Sequence, residues 1–283
     1  MSIGADIDGT HTPADTHRAV WAMGDYARMA EEVMAPLGPL LVATTGIAPG
    51  DRVLDVAAGS GNISIPAAMT GATVVSSDLT PELLERSKQR AAERGVTLEW
   101  REANAEALPF TDGEFDAVLS AIGVMFAPHQ QAAADELVRV CRSGGTIGVI
   151  SWTHEGFFGQ MLTALRPYRP TLMPGVPPAA LWGREDYVRG LLGERVGEIS
   201  AQRGMLRVDR FHSAEAVHEY VKDHYGPTIN AYRNIGDNPV LAAELDTQLI
   251  ELARRHFTRG VMEWEYLLVT ARKYAAVPPA RRA

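Results

Sequence analysis

The sequence predicts an α/β chain built on a doubly wound, mostly parallel sheet, and three observations carry that reading. The run Val53-Leu54-Asp55-Val56-Ala57-Ala58-Gly59-Ser60-Gly61-Asn62 is an apolar, β-prone segment that breaks into a turn of small residues and opens a helix. A second β-branched run, Ala72 to Ser77, ends at Asp78 and leads into a well-signalled helix. Strand-like and helix-like segments then go on alternating, as βαβ units do.

The first strand and its turn have the chemistry of a cofactor loop. Nothing between Ala57 and Gly61 is larger than a hydroxymethyl group, so backbone can approach a ligand closely. Gly59 and Gly61 tolerate positive φ, and a helix starting near Asn62 would aim its free N–H groups over the turn. A dinucleotide fingerprint needs a third glycine, and here Gly61 is followed by Asn62-Ile63-Ser64. Asp55, inside the strand, would repel a phosphate; it suits a ligand's amino group or the ordering of the loop.

Asp78 follows Asp55 by 23 residues, at the end of the second strand, where a carboxylate fits ribose hydroxyls. Thr80-Pro81-Glu82 supplies a cap, a first-turn proline and an early acid, predicting a helix from Pro81 to Arg94. Leu98 to Glu102 reads as a third strand and leads into Ala103-Asn104-Ala105-Glu106-Ala107-Leu108-Pro109-Phe110. Phe115 to Ser120 reads as a fourth and Thr146 to Trp152 as a fifth.

Taken in order, these motifs resemble the class I S-adenosylmethionine-dependent methyltransferases. The likeness is to the small-molecule branch similar to the ubiquinone and menaquinone biosynthesis methyltransferases, and it covers residues 20 to 152. The glycine-rich motif corresponds to Asp55 through Gly61, the ribose-binding acid to Asp78 and the adenine-side segment to Asn104 through Phe110. Later motifs correspond to Phe115-Asp116, to Glu136 through Val140 and to Gly144-Gly145. The resemblance implies a Rossmann-like methyltransferase fold of seven strands with an antiparallel last strand and a helical cap. It implies S-adenosylmethionine as cofactor, with S-adenosylhomocysteine as product. The cofactor residues it implies are Trp21, Tyr26, Asp55, Ala57, Gly59, Gly61, Asn62, Asp78, Leu79, Asn104, Ala105, Glu106, Ser120 and Ala121.

Three positions depart from the family pattern. Ala57 stands at the usual first glycine; its methyl is tolerable at negative φ and could narrow the approach to the methionine part. Asn104 stands where aspartate is usual, keeping an acceptor oxygen and adding an NH₂ donor. Ser143 replaces a proline before the fifth strand, at a cost in loop rigidity.

The chain has 283 residues, 46% of them hydrophobic, enough for one large α/β domain with a cap or at most two domains. Its net charge of −8 offers no basic field for DNA or RNA and favours a small-molecule acceptor. The N-terminus has no basic region followed by an apolar core, and no 18-residue apolar run occurs. A cytoplasmic protein with no membrane partner is expected, as a monomer or a homodimer. Single Cys141 excludes an intrachain disulfide and a multi-cysteine zinc site, and reads as an inert thiol. Asp112-Gly113-Glu114 and Asp135-Glu136 read as solvated charge, so no metal is expected.

Three regions are expected: an N-terminal helical lid over residues 1–40, a cofactor-binding core over 41–152, and a remainder over 153–283 that completes the sheet and carries a substrate cap near 213–258. Residues 1–16 look mobile, and His17 to Met34 has helical spacing. Its segment Trp21 to Tyr26 either lies at the cofactor mouth, as the resemblance implies, or caps the sheet as an amphipathic helix. After the fifth strand, helices are predicted at Phe157–Arg166 and Glu185–Leu192, with a long proline-dense connection from Arg166 to Pro178. Paired strands follow at Glu198–Arg203 and Met205–Phe211, two helices at Ser213–Tyr225 and Val240–His256, and a last strand at Glu263–Thr270.

Function follows from these readings as S-adenosylmethionine-dependent methyl transfer to O, C or N of a small, largely apolar or aromatic metabolite. Acceptors that must lose a proton need a base, and His154 and His224 are the candidates, ahead of His129. Met125, Phe126, Phe157, Phe158 and Tyr225 are candidates for the acceptor pocket. One alternative is a protein of this fold that binds S-adenosylmethionine without transferring methyl. A nicotinamide-dependent oxidoreductase is more remote, since the third glycine is absent and no Tyr-x-x-x-Lys pair follows the fourth strand.

Overall fold

The computed structural model describes residues 13–169 and 175–274; the remaining parts of the predicted N-terminal segment and of the proline-dense connection lie outside the described residues. Five strands run parallel: β1 (Arg52–Val56), β2 (Thr73–Asp78), β3 (Glu99–Glu102), β4 (Phe115–Ala121) and β5 (Cys141–Trp152). Two long strands, β6 (Val196–Val208) and β8 (Val261–Lys273), join antiparallel, and the two-residue β7 (Phe257–Thr258) turns back on β8. The sheet order is β3-β2-β1-β4-β5-β8-β6, so the path holds seven strands and β7 adds an eighth off it.

The parallel strands are apolar on both faces because helices cover both. Val53, Leu54 and Val56 of β1 and Val118 and Leu119 of β4 are fully buried. The crossovers are α4 (Ser64–Met69) between β1 and β2, α5 (Pro81–Glu93) between β2 and β3, and α6 (Gln130–Val140) between β4 and β5. Right-handed crossovers put α4 and α5 on one face and α6 on the other. The strand order reverses between β1 and β4, and the crevice that forms there is the place where open α/β sheets bind ligands.

Three stretches differ from the sequence-based expectation, each at a glycine. The single N-terminal helix is two, α1 (Pro13–Ala22) and α2 (Tyr26–Glu32), followed by α3 (Leu37–Thr45). The break falls at Gly24, where a Cβ would lie 2.4 Å from the His224 carbonyl oxygen, and Asp25 then caps α2 by accepting from Arg28 N–H. The two short strands expected between 198 and 211 are one strand, β6. Gly204 does not turn the chain; it stays paired and leaves room for the Tyr266 ring, whose Oη would be 2.3 Å from a Cβ there.

The cap between β6 and β8 has three helices, α9 (Ala214–His224), α10 (Gly226–Ile235) and α11 (Pro239–His256). The unexpected one, α10, starts at Gly226-Pro227, a pair that reads as a breaker yet places proline in a first turn that has no use for its missing N–H. Between β5 and β6 lie α7 (Phe157–Leu165) and α8 (Glu185–Leu192). Beneath the cap, the buried rings of Trp152, Phe157, Phe158 and Trp264 meet with centroids 4.7–6.2 Å apart. This aromatic block fastens β5, α7 and β8 together at the closed side of the crevice.

Candidate functional site

The crevice is built first by the loop after β1. Asp78 at the end of β2 holds that loop: one carboxylate oxygen accepts from Gly59 N–H and the other from Thr80 N–H, both at 2.8 Å. Burial raises the pKa of Asp78, while the N–H donors of Thr80 and Gly59 oppose the shift. Gly59 has φ +55°, and a Cβ there would project into open space, so the loop presents bare backbone to the cavity. Gly61, at φ +86°, packs instead on α5, where a Cβ would fall 2.6 Å from Ser87 Oγ. Arg90 clamps the loop from outside by donating to Ser60 O and Oγ, and it also pairs with Glu31 of α2.

Ala57 takes φ +54°, not the negative φ under which its methyl would be harmless. The fold accommodates it because Gly123 lies against it; a Cβ on Gly123 would be 2.5 Å from Ala57 Cβ. A left-handed alanine costs roughly 1–2 kcal/mol, partly offset by its lower unfolded-state entropy than glycine. Ala57→Gly is therefore expected to stabilise the protein by about 1 kcal/mol, a rise of roughly 2–4 °C in Tm. A lower Tm in thermal unfolding would show the methyl to be a favourable packing group. Ile122, at φ +66°, is a second strained residue on the same wall.

The rest of the cavity comes from other elements. Ala103 to Glu106 after β3 form one side; Asn104 Oδ1 accepts from Glu106 N–H, and the Glu106 carboxylate holds the backbone and ring of His129. Ala121 at the end of β4 and, after it, Ile122 to Val124, Phe126 and Ala127 form another. The lid supplies His17, Trp21, Tyr26, Met29 and Met34, and the far side supplies Trp152, Phe158 and Tyr225. Trp21 packs on Phe126 and Tyr26, with centroids 4.5 and 5.1 Å away. Trp21 Nε1 donates to the His17 ring. Burial lowers the His17 pKa to about 4, helped by the Arg169 charge and opposed by Glu106, so the imidazole is neutral. Among the described residues lining the cavity, Asp78 and Glu106 are acidic and none is lysine or arginine.

A family profile described as a methyltransferase domain matches residues 54–149, which span the loop, Asp78 and the Asn104 segment. An uncharacterised Mycobacterium tuberculosis protein is 68% identical over 96% of this chain and 100% of its own length. The demethylmenaquinone methyltransferase of Renibacterium salmoninarum is 35% identical over 174 residues, 62% of this chain and 68% of that protein. The chain belongs to the class I S-adenosylmethionine-dependent methyltransferases. The fold agrees: a crystal structure of a putative methyltransferase from Bacillus halodurans superposes with a TM-score of 0.56 at 20% identity, covering 83% of this chain and 98% of that one.

The methyltransferase cavity fits its cofactor on two counts. The sulfonium and amino groups of S-adenosylmethionine are cationic, and the charged side chains lining the cavity are acidic. The bare backbone at Gly59 leaves the room a side chain would fill. Of the residues implied by the resemblance, Trp21, Tyr26, Ala57, Gly59, Asn62, Asp78, Leu79, Asn104, Ala105, Glu106 and Ala121 line this one cavity. Asp55, Gly61 and Ser120 do not. Ser120 Oγ donates to Val56 O and accepts from Val124 N–H, bracing β1 against the turn after β4. One Asp55 oxygen accepts from Ser64 N–H and Oγ at 2.9 and 2.6 Å, so Asp55 orders the loop from behind; its other oxygen has no partner.

Burial, with a smaller push from the charge of Asp78, raises the Asp55 pKa to about 7. A carboxyl whose folded pKa is raised above its unfolded value contributes stability below that unfolded value, near 4, and loses it as pH rises through about 7. Asp55→Asn can keep both Ser64 contacts without the buried charge. It is expected to match the wild type at about pH 4 and to exceed it at pH 8 by about 1 kcal/mol or more. Equal pH dependence of Tm in the two proteins would remove Asp55 as the titrating group.

Four further candidates lie away from the cavity. His154 is exposed on the loop after β5. The His224 ring stacks on Tyr220 and its Nδ1 meets the Tyr220 carbonyl, while its own carbonyl accepts from Asp25 N–H of the lid. Met125 is fully buried in the core, and Phe157 turns toward Trp264 while its neighbour Phe158 reaches the cavity. Phe126, Phe158 and Tyr225 do line it. Residues the sequence reading passed over include His17, Met29, Ile122 and Trp152. The four-residue spacing of His17 and Trp21, which puts both on one helix face, was the available signal for the first.

Cys141 is buried, which lifts its thiol pKa to about 11 and makes it inert. Asp112, Glu114, Asp135 and Glu136 are paired with Arg139, Arg52 and Arg195. No helix among the described residues is long and apolar enough to cross a membrane.

Proposed function

We propose that this methyltransferase transfers the methyl group of S-adenosylmethionine to O, C or N of a small, uncharged, largely apolar or aromatic metabolite, leaving S-adenosylhomocysteine. The observation that carries the reading is one cavity with two unlike walls: bare loop backbone, Asp78 and Asn104 on one side, and Trp21, Tyr26, Phe126, Phe158 and Tyr225 on the other. The described lining residues include no lysine or arginine, and the charge of Arg169 acts on the wall at His17, Tyr26 and Tyr225.

In this reading Asp78 accepts from the ribose hydroxyls, the Asn104–Glu106 segment borders the base, and the backbone from Ala57 to Asn62 follows the methionine part. The bound cofactor supplies an electrophilic methyl group. The protein's work is to place the acceptor atom about 3 Å from it, in line, and to keep water out. The aromatic wall and the lid do both. The lid is tied down by Glu31 to Arg90, Arg18 to Glu102 and Glu32 to Arg210 and Tyr220 Oη. Residues 1–40 act as lid, 41–152 as cofactor core and 153–283 as completion of the sheet with its substrate cap. The protein works in the cytoplasm, as a monomer or a homodimer, on a small molecule and not on a nucleic acid.

The test is calorimetric titration with S-adenosylmethionine, S-adenosylhomocysteine and NADH in parallel. Micromolar binding of the first two without the third is the expected result. Binding of NADH alone would overturn the reading.

A further inference from the structure

Two buried carboxylates stand near each other where β1 and β2 end under the loop. The parallel register sets Asp55 beside Ser76 and Val56 beside Ser77, and Asp78 follows directly. They are satisfied unequally. Asp78 gives its two oxygens to the N–H groups of Gly59 and Thr80. Asp55 gives Oδ2 to Ser64 at the start of α4 and leaves Oδ1 without a hydrogen-bond partner. Ser76, in register with Asp55 and so on the same face of the sheet, has an equally unpartnered Oγ. A hydroxyl accepts from a carboxylic acid and donates to a carboxylate, so these surroundings suit both forms of Asp55.

Nothing among the described residues neutralises Asp55. From β2 the charge of Asp78 acts on it and repels; β4 sets Leu119 opposite it, and α4 offers the two Ser64 donors and no charge. Arg169 acts on the far wall of the cavity, at His17, Tyr26 and Tyr225, and not on Asp55. Burial, with the smaller push from Asp78, holds the Asp55 carboxyl at about 7, so before a ligand binds it carries a proton through much of the neutral range. A positive charge brought close to such a group favours its ionised form and displaces the proton.

We propose that Asp55 discriminates between cofactor and product by charge: it gives its proton to water when the sulfonium form binds and takes one back from water once methyl transfer has left the uncharged thioether. The proposal rests on the methyl-transfer reading above. Asp55 does not line the cavity, so it acts through the field of its charge and through Ser64, as a positioning residue and not by contact. In the transfer the carbon–sulfur bond breaks with its electron pair left on sulfur, and the positive charge that kept Asp55 ionised is gone from the cofactor. The site then holds the product less tightly than the cofactor. That preference grows as pH rises through the neutral range, because at higher pH Asp55 is already ionised and the cation has no proton to displace.

The experiment is calorimetric titration of the full chain with S-adenosylmethionine and with S-adenosylhomocysteine between about pH 5.5 and pH 8, in buffers of unlike ionisation enthalpy, which counts the protons exchanged. Asp55→Asn keeps an oxygen for the Ser64 donors and cannot ionise, and the ligands' own ionisations are common to both proteins. From the low to the high pH the preference for S-adenosylmethionine should rise about tenfold more in the wild type than in Asp55→Asn. Near pH 6.5 the wild type should release about half a proton more on binding S-adenosylmethionine than on binding S-adenosylhomocysteine. A rise no larger in the wild type than in the variant, with both ligands bound, would overturn the proposal and leave the methyl-transfer reading standing. Failure of both ligands to bind would overturn that reading and the proposal with it. Should the variant not fold, the proton count on the wild type decides alone, and equal release with the two ligands overturns the proposal.

Discussion

Asp78→Ala should weaken the binding of S-adenosylhomocysteine by about 2 kcal/mol, roughly thirtyfold, as read by calorimetry. Two losses combine. The variant removes the buried carboxylate proposed to accept from the ribose hydroxyls, and it orphans the N–H groups of Gly59 and Thr80, which Asp78 holds at 2.8 Å. The second loss loosens the loop whose bare backbone at Gly59 borders the cavity, so the chain should lose stability as well as affinity. Asp78→Asn separates the two contributions: its one amide oxygen can keep a backbone contact while the charge is gone. Its affinity should fall between those of wild type and alanine variant. Unchanged affinity in Asp78→Ala would remove the residue from the cofactor site.

Gly38→Ala is the second large effect, and ordinary helix logic assigns it the wrong sign. In a helix interior alanine is more stable than glycine by about 0.5–1 kcal/mol. At Gly38, inside α3, a Cβ would fall 1.7 Å from the Asn62 carbonyl oxygen and 2.7 Å from its carbon. No rotamer relieves such a clash, so either the helix or the Asn62 peptide must move. Asn62 resists because its Nδ2 donates to Met34 O at 2.9 Å. Overpacking of this kind costs about 1–3 kcal/mol or more and outweighs the helix gain. The expected result is a Tm lower by roughly 5–10 °C, with cofactor affinity down about tenfold because Asn62 lies in the loop. A raised Tm with intact affinity would show that α3 and the loop are not in tight contact.

Both predictions concern a loop that was legible from the sequence, though only in part. The strand, the small residues and the acid at the next strand end are local requirements of backbone approach and charge, and they stand in the order in which the chain uses them. The conformation of Ala57 was not local, because its positive φ is tolerated only where Gly123 leaves room. The role of Asp55 was half legible: of the two uses its position allowed, ordering the loop is the one made by the Ser64 contacts. Gly204 and Gly226 misled for the same reason. Glycine in a sequence signals missing bulk, and only the neighbours say whether the absent side chain permits a turn, a ring crossing or a helix start.

The acceptor side was less legible still. Phe157 and Phe158 are adjacent in α7 and chemically identical, yet one stacks on Trp264 and the other reaches the cavity. About 100° of helix rotation separates them, and packing against elements far away in the chain sets that rotation. Likewise His17, not proposed from sequence as a site residue, faces the cavity, whereas His154 and His224 do not line it.

The sequence by itself determined the class of fold, the methyltransferase family and the loop and acid that line the cavity, because these depend on short stretches of backbone and their spacing. The tertiary structure alone decided which aromatic and titratable side chains share the cavity. That outcome depends on the rotation of helices about their own axes and on the docking of lid and cap, which no local pattern of residues specifies.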